Sequence, residues 1–203
     1  MAHKYSASDY VFQFITIMAG VLIAMLANGM VERSKDRQLV ATARTMLARE
    51  ITDNLGALET LPADVAKNAA EVENALQLAN DLLKKGKTEI RSVSFNFNLP
   101  TLNESSWQTA ERTGALAHMD YDEVKAYSEV YAQQDLFTTH QRKSIDLVAA
   151  GSVLIAPSFD PTTAERQDLV RFRESAMQLQ ANLLVTEQLG RQLSESYQKL
   201  LKR

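Results

Sequence analysis

The hydrophobic positions of the chain fall into two regimes. From Val11 to Ala27 they are nearly continuous, VFQFITIMAGVLIAMLA, interrupted only by Gln13 and Thr16. Carried through Asn28, Gly29 and Met30 the stretch has 20 residues, about 30 Å as an α-helix, which matches the hydrocarbon core of a bilayer. No charged residue lies between Asp9 and Glu32. A secretory signal peptide has a basic start, a shorter apolar run and a small-residue cleavage site. Here Lys4 is a thin basic region, and Ala24-Met25-Leu26-Ala27 is a poor cleavage context. A helix apolar on every side also suits the core of a large protein, but rarely that of so small a domain. The pattern predicts a transmembrane anchor.

Beyond the span the period becomes helical. Leu39/Val40, Ala43, Leu47, Ile51, Leu55 and Leu58 recur at steps of three and four, which predicts one helix from about Ser8 to about Glu59. Leu61-Pro62-Ala63-Asp64 reads as a turn and restart. A second helix follows, with Val65, Ala69, Val72, Leu76 and Leu83 inward, stopping at Lys85-Gly86. Its length suits an antiparallel hairpin with the projecting half of the first helix. Ser92 to Leu99 alternates like a strand, which suits an extended segment laid along the bundle or pairing with a second copy. Asn103 or Ser105 is a candidate cap for a short helix ending at Thr113-Gly114. Asp120 with Glu123 resembles a capping box. It opens a third long helix to about Ala156, carrying Val124, Tyr127, Val130, Tyr131, Leu136, Ile145, Val148 and Leu154. After the break at residues 157–161 a fourth runs from about Pro161 to Leu201. Its stripe is Leu169, Phe172, Ala176, Leu179, Leu183, Leu193, Tyr197 and Leu200, weakened by Gly190.

The predicted fold is all-α: one N-terminal transmembrane helix continuing into an antiparallel four-helix bundle. Residues 1–30 form the tail and anchor. Residues 31–203 form the bundle domain, with an irregular insert at about 86–119.

Charge and composition add mostly exclusions. With 22 basic and 25 acidic residues the net charge is −3, so nothing calls for nucleic acid as a partner. Cysteine is absent, which excludes disulfides, thiol nucleophiles and thiolate metal sites. Glycine-rich phosphate loops, nucleophile elbows and paired-histidine zinc motifs are missing. His118 lies near Asp120 and Asp122, but carboxylates at a helix start are explained by the free N–H groups and dipole there. No catalytic residue, cofactor or metal site is therefore expected, and the chain reads as a non-enzyme.

Three sets of residues remain as candidates. Gly20, Ala24 and Asn28 share one face of the span, where small residues let helix backbones approach and an asparagine seeks a partner. Arg33, Lys35 and Arg37 follow the span, and the hairpin would return Lys84, Lys85 and Lys87 to the same level as a collar for lipid headgroups. The alternative for Lys84 and Lys85 is to complement the C-terminal dipole of their own helix. Trp107 and Tyr127 are core anchors or the contact for a ligand or partner. The excess of Lys and Arg after the span predicts a cytoplasmic bundle, with the periplasm as the alternative.

The segments GVLIAMLANGMVER (Gly20 to Arg33) and SSWQTAERTGALAHMDYDEVKAYSEVY (Ser105 to Tyr131), with Trp107 and Gly114, resemble an uncharacterised group of bacterial single-span membrane proteins. The resemblance implies a bacterial membrane protein and supplies no activity. The expected role is a structural or accessory subunit of a membrane protein assembly, touching lipids and other subunits or itself through the anchor. The alternative is a single-span sensor or ligand-binding module.

Overall fold

The computed structural model describes residues 7–87, 99–151 and 164–202, where every regular element is a helix. α1 (Ala7–Leu58) is one unbroken helix of 52 residues, as the absence of Gly and Pro from Met30 to Asn54 allows. It has two environments. None of residues 12–39 is buried, whereas Val40, Leu47, Ile51, Asn54 and Leu58 turn inward. The apolar stretch thus stands clear of the chain's own core, and the helical domain begins near Val40.

α2 (Leu61–Lys85) follows after two residues, and it does not fold back on α1. Two contacts fix its direction. Leu61, at its start, lies against Gly190 of α5 (Arg166–Leu201). Leu83, near its end, accepts a hydrogen bond through its carbonyl from Arg166 at 3.4 Å. α2 therefore runs antiparallel to α5. α5 is itself antiparallel to α4 (Tyr121–Gly151), pairing Ser196 with Gln133 and Asn182 with His140. α1 runs parallel to α4, since Arg44 meets Glu123, Glu50 meets Tyr131 and Asn54 meets Gln134 in order. Both α1 and α2 point the same way, and they do not pack side by side.

The expected antiparallel hairpin is thus corrected to an end-to-end junction. The physical reason lies at Thr60, which keeps αR angles (φ −82, ψ −14). The Asp64 N–H donates to the Thr60 carbonyl, so helical bonding resumes at once. Proline in a first turn interrupts one hydrogen bond without reversing the chain. The four long helices form an elongated bundle in which α1 and α2 share one track beside the α4–α5 pair.

The inward faces explain the register. On α2 the buried ridge is Leu61, Val65, Asn68, Val72, Ala75, Ala79 and Leu82, with Ala69, Leu76 and Leu83 at its margin. On α4 it is Tyr127, Val130, Tyr131, Gln134, Phe137, Gln141 and Ser144, while Leu136 and Ile145 are exposed. α5 opens at Arg166, five residues after Pro161, and buries the predicted stripe from Leu169 to Tyr197 including Gly190. The strand-like run from Ser92, apart from Leu99, lies outside the described residues, as do residues 152–163.

Residues 99–119 come back along the bundle between α1 and α4. An extended stretch, 99–104, leads into the short helix α3 (Ser105–Arg112) and a 3₁₀ turn (Ala115–His118). Gly114 (φ 76) ends α3 in the left-handed region that glycine tolerates. Asp120 opens α4, its Oδ1 accepting the Asp122 N–H at 2.9 Å. Glu123 does not complete a capping box, because its carboxylate takes Arg44 instead.

Candidate functional site

An extended segment laid on a bundle carries backbone groups that no ladder satisfies, and burying them unpaired is costly. Here side-chain amides supply the partners. Asn54 Oδ1 accepts the Asn103 N–H at 2.8 Å, and Asn54 Nδ2 donates to the Asn103 carbonyl at 2.7 Å. Gln134 Nε2 donates to the same carbonyl at 2.9 Å, and Gln141 Nε2 to that of Pro100 at 3.2 Å. The Tyr197 hydroxyl donates to Gln134 Oε1. Polar residues in the middle of apolar ridges on α1 and α4 are thus a dock for residues 100–103.

Glu50 continues this seam. The N-terminus of α3 has no cap from its own neighbours. Glu50 of α1 supplies it, Oε2 accepting from the Ser105 hydroxyl at 2.9 Å and the Ser106 N–H at 2.8 Å. Its other oxygen accepts from the Tyr131 hydroxyl at 2.7 Å. Trp107 then stacks on Tyr131, with ring centroids 5.2 Å apart and planes at 21°. Burial, reinforced by the hydrogen bond and charge of Glu50, pushes the Tyr131 phenol well above its ordinary range. Burial raises Tyr197 likewise, and it raises Tyr127, where Glu123 adds to the effect. Tyr131 and Tyr197 are donors with fixed acceptors, Glu50 and Gln134.

Trp107 is half-buried against the core and Tyr127 is buried within it. An apolar groove of about 350 Å³ does open beside α3, between Leu39, Ala43 and Met46 of α1 and Thr109, Ala110 and Thr113. Neither Trp107 nor Tyr127 is among its lining residues. His118 faces Asp36 at 3.7 Å, away from a ligand set with Asp120 and Asp122. Among the described residues no three His, Asp or Glu side chains converge as for a metal.

Gly20, Ala24 and Asn28 are exposed, and nothing lies within 4 Å of a side chain placed at Gly20. Continuing from Asn28 by helical steps, Val31, Lys35, Gln38, Thr42, Thr45, Arg49 and Thr52 are all exposed as well. The small-residue face of the apolar stretch therefore lies on the side of α1 that the bundle leaves open.

The basic residues separate. Arg33, Lys35 and Arg37 follow the apolar stretch directly. Lys84 and Lys85 sit in the last turn of α2, where they complement its dipole, and Lys85 also meets Asp81 at 2.9 Å. The end-to-end track puts Lys84, Lys85 and Lys87 about 70 Å from Arg37 at 1.5 Å per residue. The expected single collar is corrected to a basic base and a distant basic tip.

The polar seam is what sequence reasoning missed. Its signal is present: Asn54 stands in phase with Leu47, Ile51 and Leu58, and Gln134 with Tyr127, Tyr131 and Phe137. No family model, curated protein or solved structure matches the chain.

Proposed function

We propose that this chain is a non-enzymatic, single-span membrane protein whose helical domain serves as a structural or accessory subunit of a membrane assembly. The observation that carries the reading is the state of the apolar stretch. Its best 18-residue window has a mean hydropathy of 2.1 and none of it is buried against the rest of the chain. Phe12, Ile15, Ile23, Met25 and Leu26 are each more than half exposed. Such a surface in water is an aggregation hazard, whereas in lipid it is the solvent-compatible face. Thr16, one of its few polar groups, donates to the Phe12 carbonyl at 2.9 Å, so its hydroxyl is satisfied within the helix.

The remaining features support a structural role. Glu50, Asn54, Gln134 and Tyr197 hydrogen-bond the chain's own segments, so they brace the domain. α1 beyond Val31 and α2 together extend about 80 Å at 1.5 Å per residue, a spacer carrying a distant tip. We place the anchor in a bacterial inner membrane and the domain in the cytoplasm, on the excess of Arg and Lys after the span. Gly20, Ala24 and Asn28 face outward, open to a partner span or a second copy.

Fractionation tests the reading. The full chain stays with membranes through carbonate and high salt, and Gly20→Leu reduces its self-association or partner recovery in mild detergent. A single cysteine at position 85, in a chain that has none, reacts with an impermeant reagent only after lysis. Release by salt alone contradicts the anchor, and labelling in intact cells reverses the orientation.

A further inference from the structure

The base of the domain, where α1 leaves the apolar stretch, holds a concave site. Arg33, Asp36, Arg37, Val40 and Arg44 of α1, with His118 of the 3₁₀ turn, enclose about 360 Å³. The three arginines are four and seven residues apart, so they rise along one side of the helix. Val40 is buried and forms an apolar floor.

Two carboxylates border this site. Asp36 faces His118 at 3.7 Å. Glu123 takes Arg44 through two hydrogen bonds, Nε to Oε1 at 2.8 Å and Nη2 to Oε2 at 2.6 Å. That clamp holds the Arg44 guanidinium in place above the site. Arg33 and Arg37 are exposed. Set against Asp36 and the clamping Glu123, the three arginines leave a formal excess of one positive charge. A concave surface with an excess of one sign concentrates counter-ions, and guanidinium groups match phosphate oxygens in paired hydrogen bonds.

Position selects the ligand. Arg33 is two residues beyond Val31, and Arg37 six, so they rise about 3 and 9 Å past the apolar end at 1.5 Å per residue. The headgroup layer on each side of a bilayer is about 5–8 Å deep, and arginine side chains reach across the difference.

We propose that this site binds the phosphate of an anionic phospholipid headgroup, with Arg33 and Arg37 as the contacting groups and Arg44 and His118 as its outer wall. The proposal rests on the membrane reading above and adds a defined lipid site to it. Bound there, a headgroup ties α1 to residues 115–118, and so fixes the tilt of the domain on its anchor.

The test uses the full chain in mild detergent, titrated with phosphatidylglycerol or phosphatidylcholine and read by native mass spectrometry. Phosphatidylglycerol binds more tightly than phosphatidylcholine. Arg33→Gln with Arg37→Gln weakens phosphatidylglycerol by roughly 25-fold, about fivefold per charge near a lipid surface. Lys84→Gln with Lys85→Gln makes the same charge change at the far tip and leaves the affinity as it was. Equal binding of the two lipids overturns the proposal, and so does equal loss in both double variants, which marks a net-charge effect. Millimolar inorganic phosphate leaves lipid binding in place; full displacement by it overturns the lipid assignment in favour of a free anion. Carbonate release of a chain that still prefers phosphatidylglycerol supports the site while defeating the anchor.

Discussion

Leu61 fills the space that a side chain at position 190 would take. A β-carbon on Gly190 would overlap Leu61 Cδ2 and lie 3.2 Å from Phe137 Cε2. Leu61 and Phe137 are both buried. This contact seats the junction of α1 and α2 about two-thirds of the way along α5, and it turns a glycine that looks like a defect in the α5 stripe into a notch.

Gly190→Ala therefore destabilises the domain despite its better helix propensity. Overpacking costs about 1–3 kcal/mol and the propensity gain returns about 1 kcal/mol, leaving a net loss of about 1 kcal/mol by the same balance. Leu61→Ala alone costs about 2–5 kcal/mol. Combined, the two cost less than their sum, because the new methyl enters the space that the leucine vacates. Denaturant unfolding of the four proteins measures it, and simple additivity contradicts the notch.

Glu50 caps α3 from a different helix, so its loss undocks a segment far away in sequence. Glu50→Ala leaves the Ser105 hydroxyl, the Ser106 N–H and the Tyr131 hydroxyl without their acceptor, at about 1–3 kcal/mol for each that stays buried. Tyr131→Phe costs about 1 kcal/mol. Hydrogen exchange reads the consequence directly: amides of residues 103–112 lose protection in Glu50→Ala before those of α5 do. Uniform loss of protection across the chain counts against a local docking role.

The phenols set an alkaline limit. Tyr127, Tyr131 and Tyr197 have folded pKa values raised above the ordinary value of 10.0. The folded state thus holds protons that the unfolded state gives up. Stability from these groups is fully present below pH 10 and falls as pH rises beyond it, by about 1.4 kcal/mol per pH unit for each phenol still protonated. Phenolate absorbance from these residues appears together with unfolding, and Tyr131→Phe with Tyr197→Phe flattens the decline. Phenolate formation in a chain that stays folded contradicts the burial.

The helices themselves were legible from periodicity, because apolar residues at three- and four-residue steps have one way to be buried together. Gly86 and Gly114 also marked real helix ends, and both take positive φ. The direction of α2 was not legible. Leu61-Pro62 after a helix suits a kink as well as a reversal, and only the partner of Leu83 decides between them. The inward faces of α2 and α4 were legible only in part, for a related reason: Val65, Val72, Tyr127, Val130 and Tyr131 are buried, whereas Leu136 and Ile145 are exposed. Asn68, Gln134, Gln141 and Ser144 occupy buried positions, so hydrophobicity alone moved the stripe toward Leu76, Leu136 and Ile145. Burial of Gln134 and Gln141 makes sense once residues 100–103 lie across them.

The account centres on a helix that leaves a bilayer and carries the tip of α2 away from it. Fluorescent labels at positions 37 and 85 of the full chain in liposomes, read against a quencher confined to the headgroup layer, test this most directly. The account predicts strong quenching at 37 and none at 85, since about 70 Å of helix at 1.5 Å per residue separates them. Equal quenching at both positions would mean that α2 returns to the membrane, and quenching at neither that the chain is not anchored there.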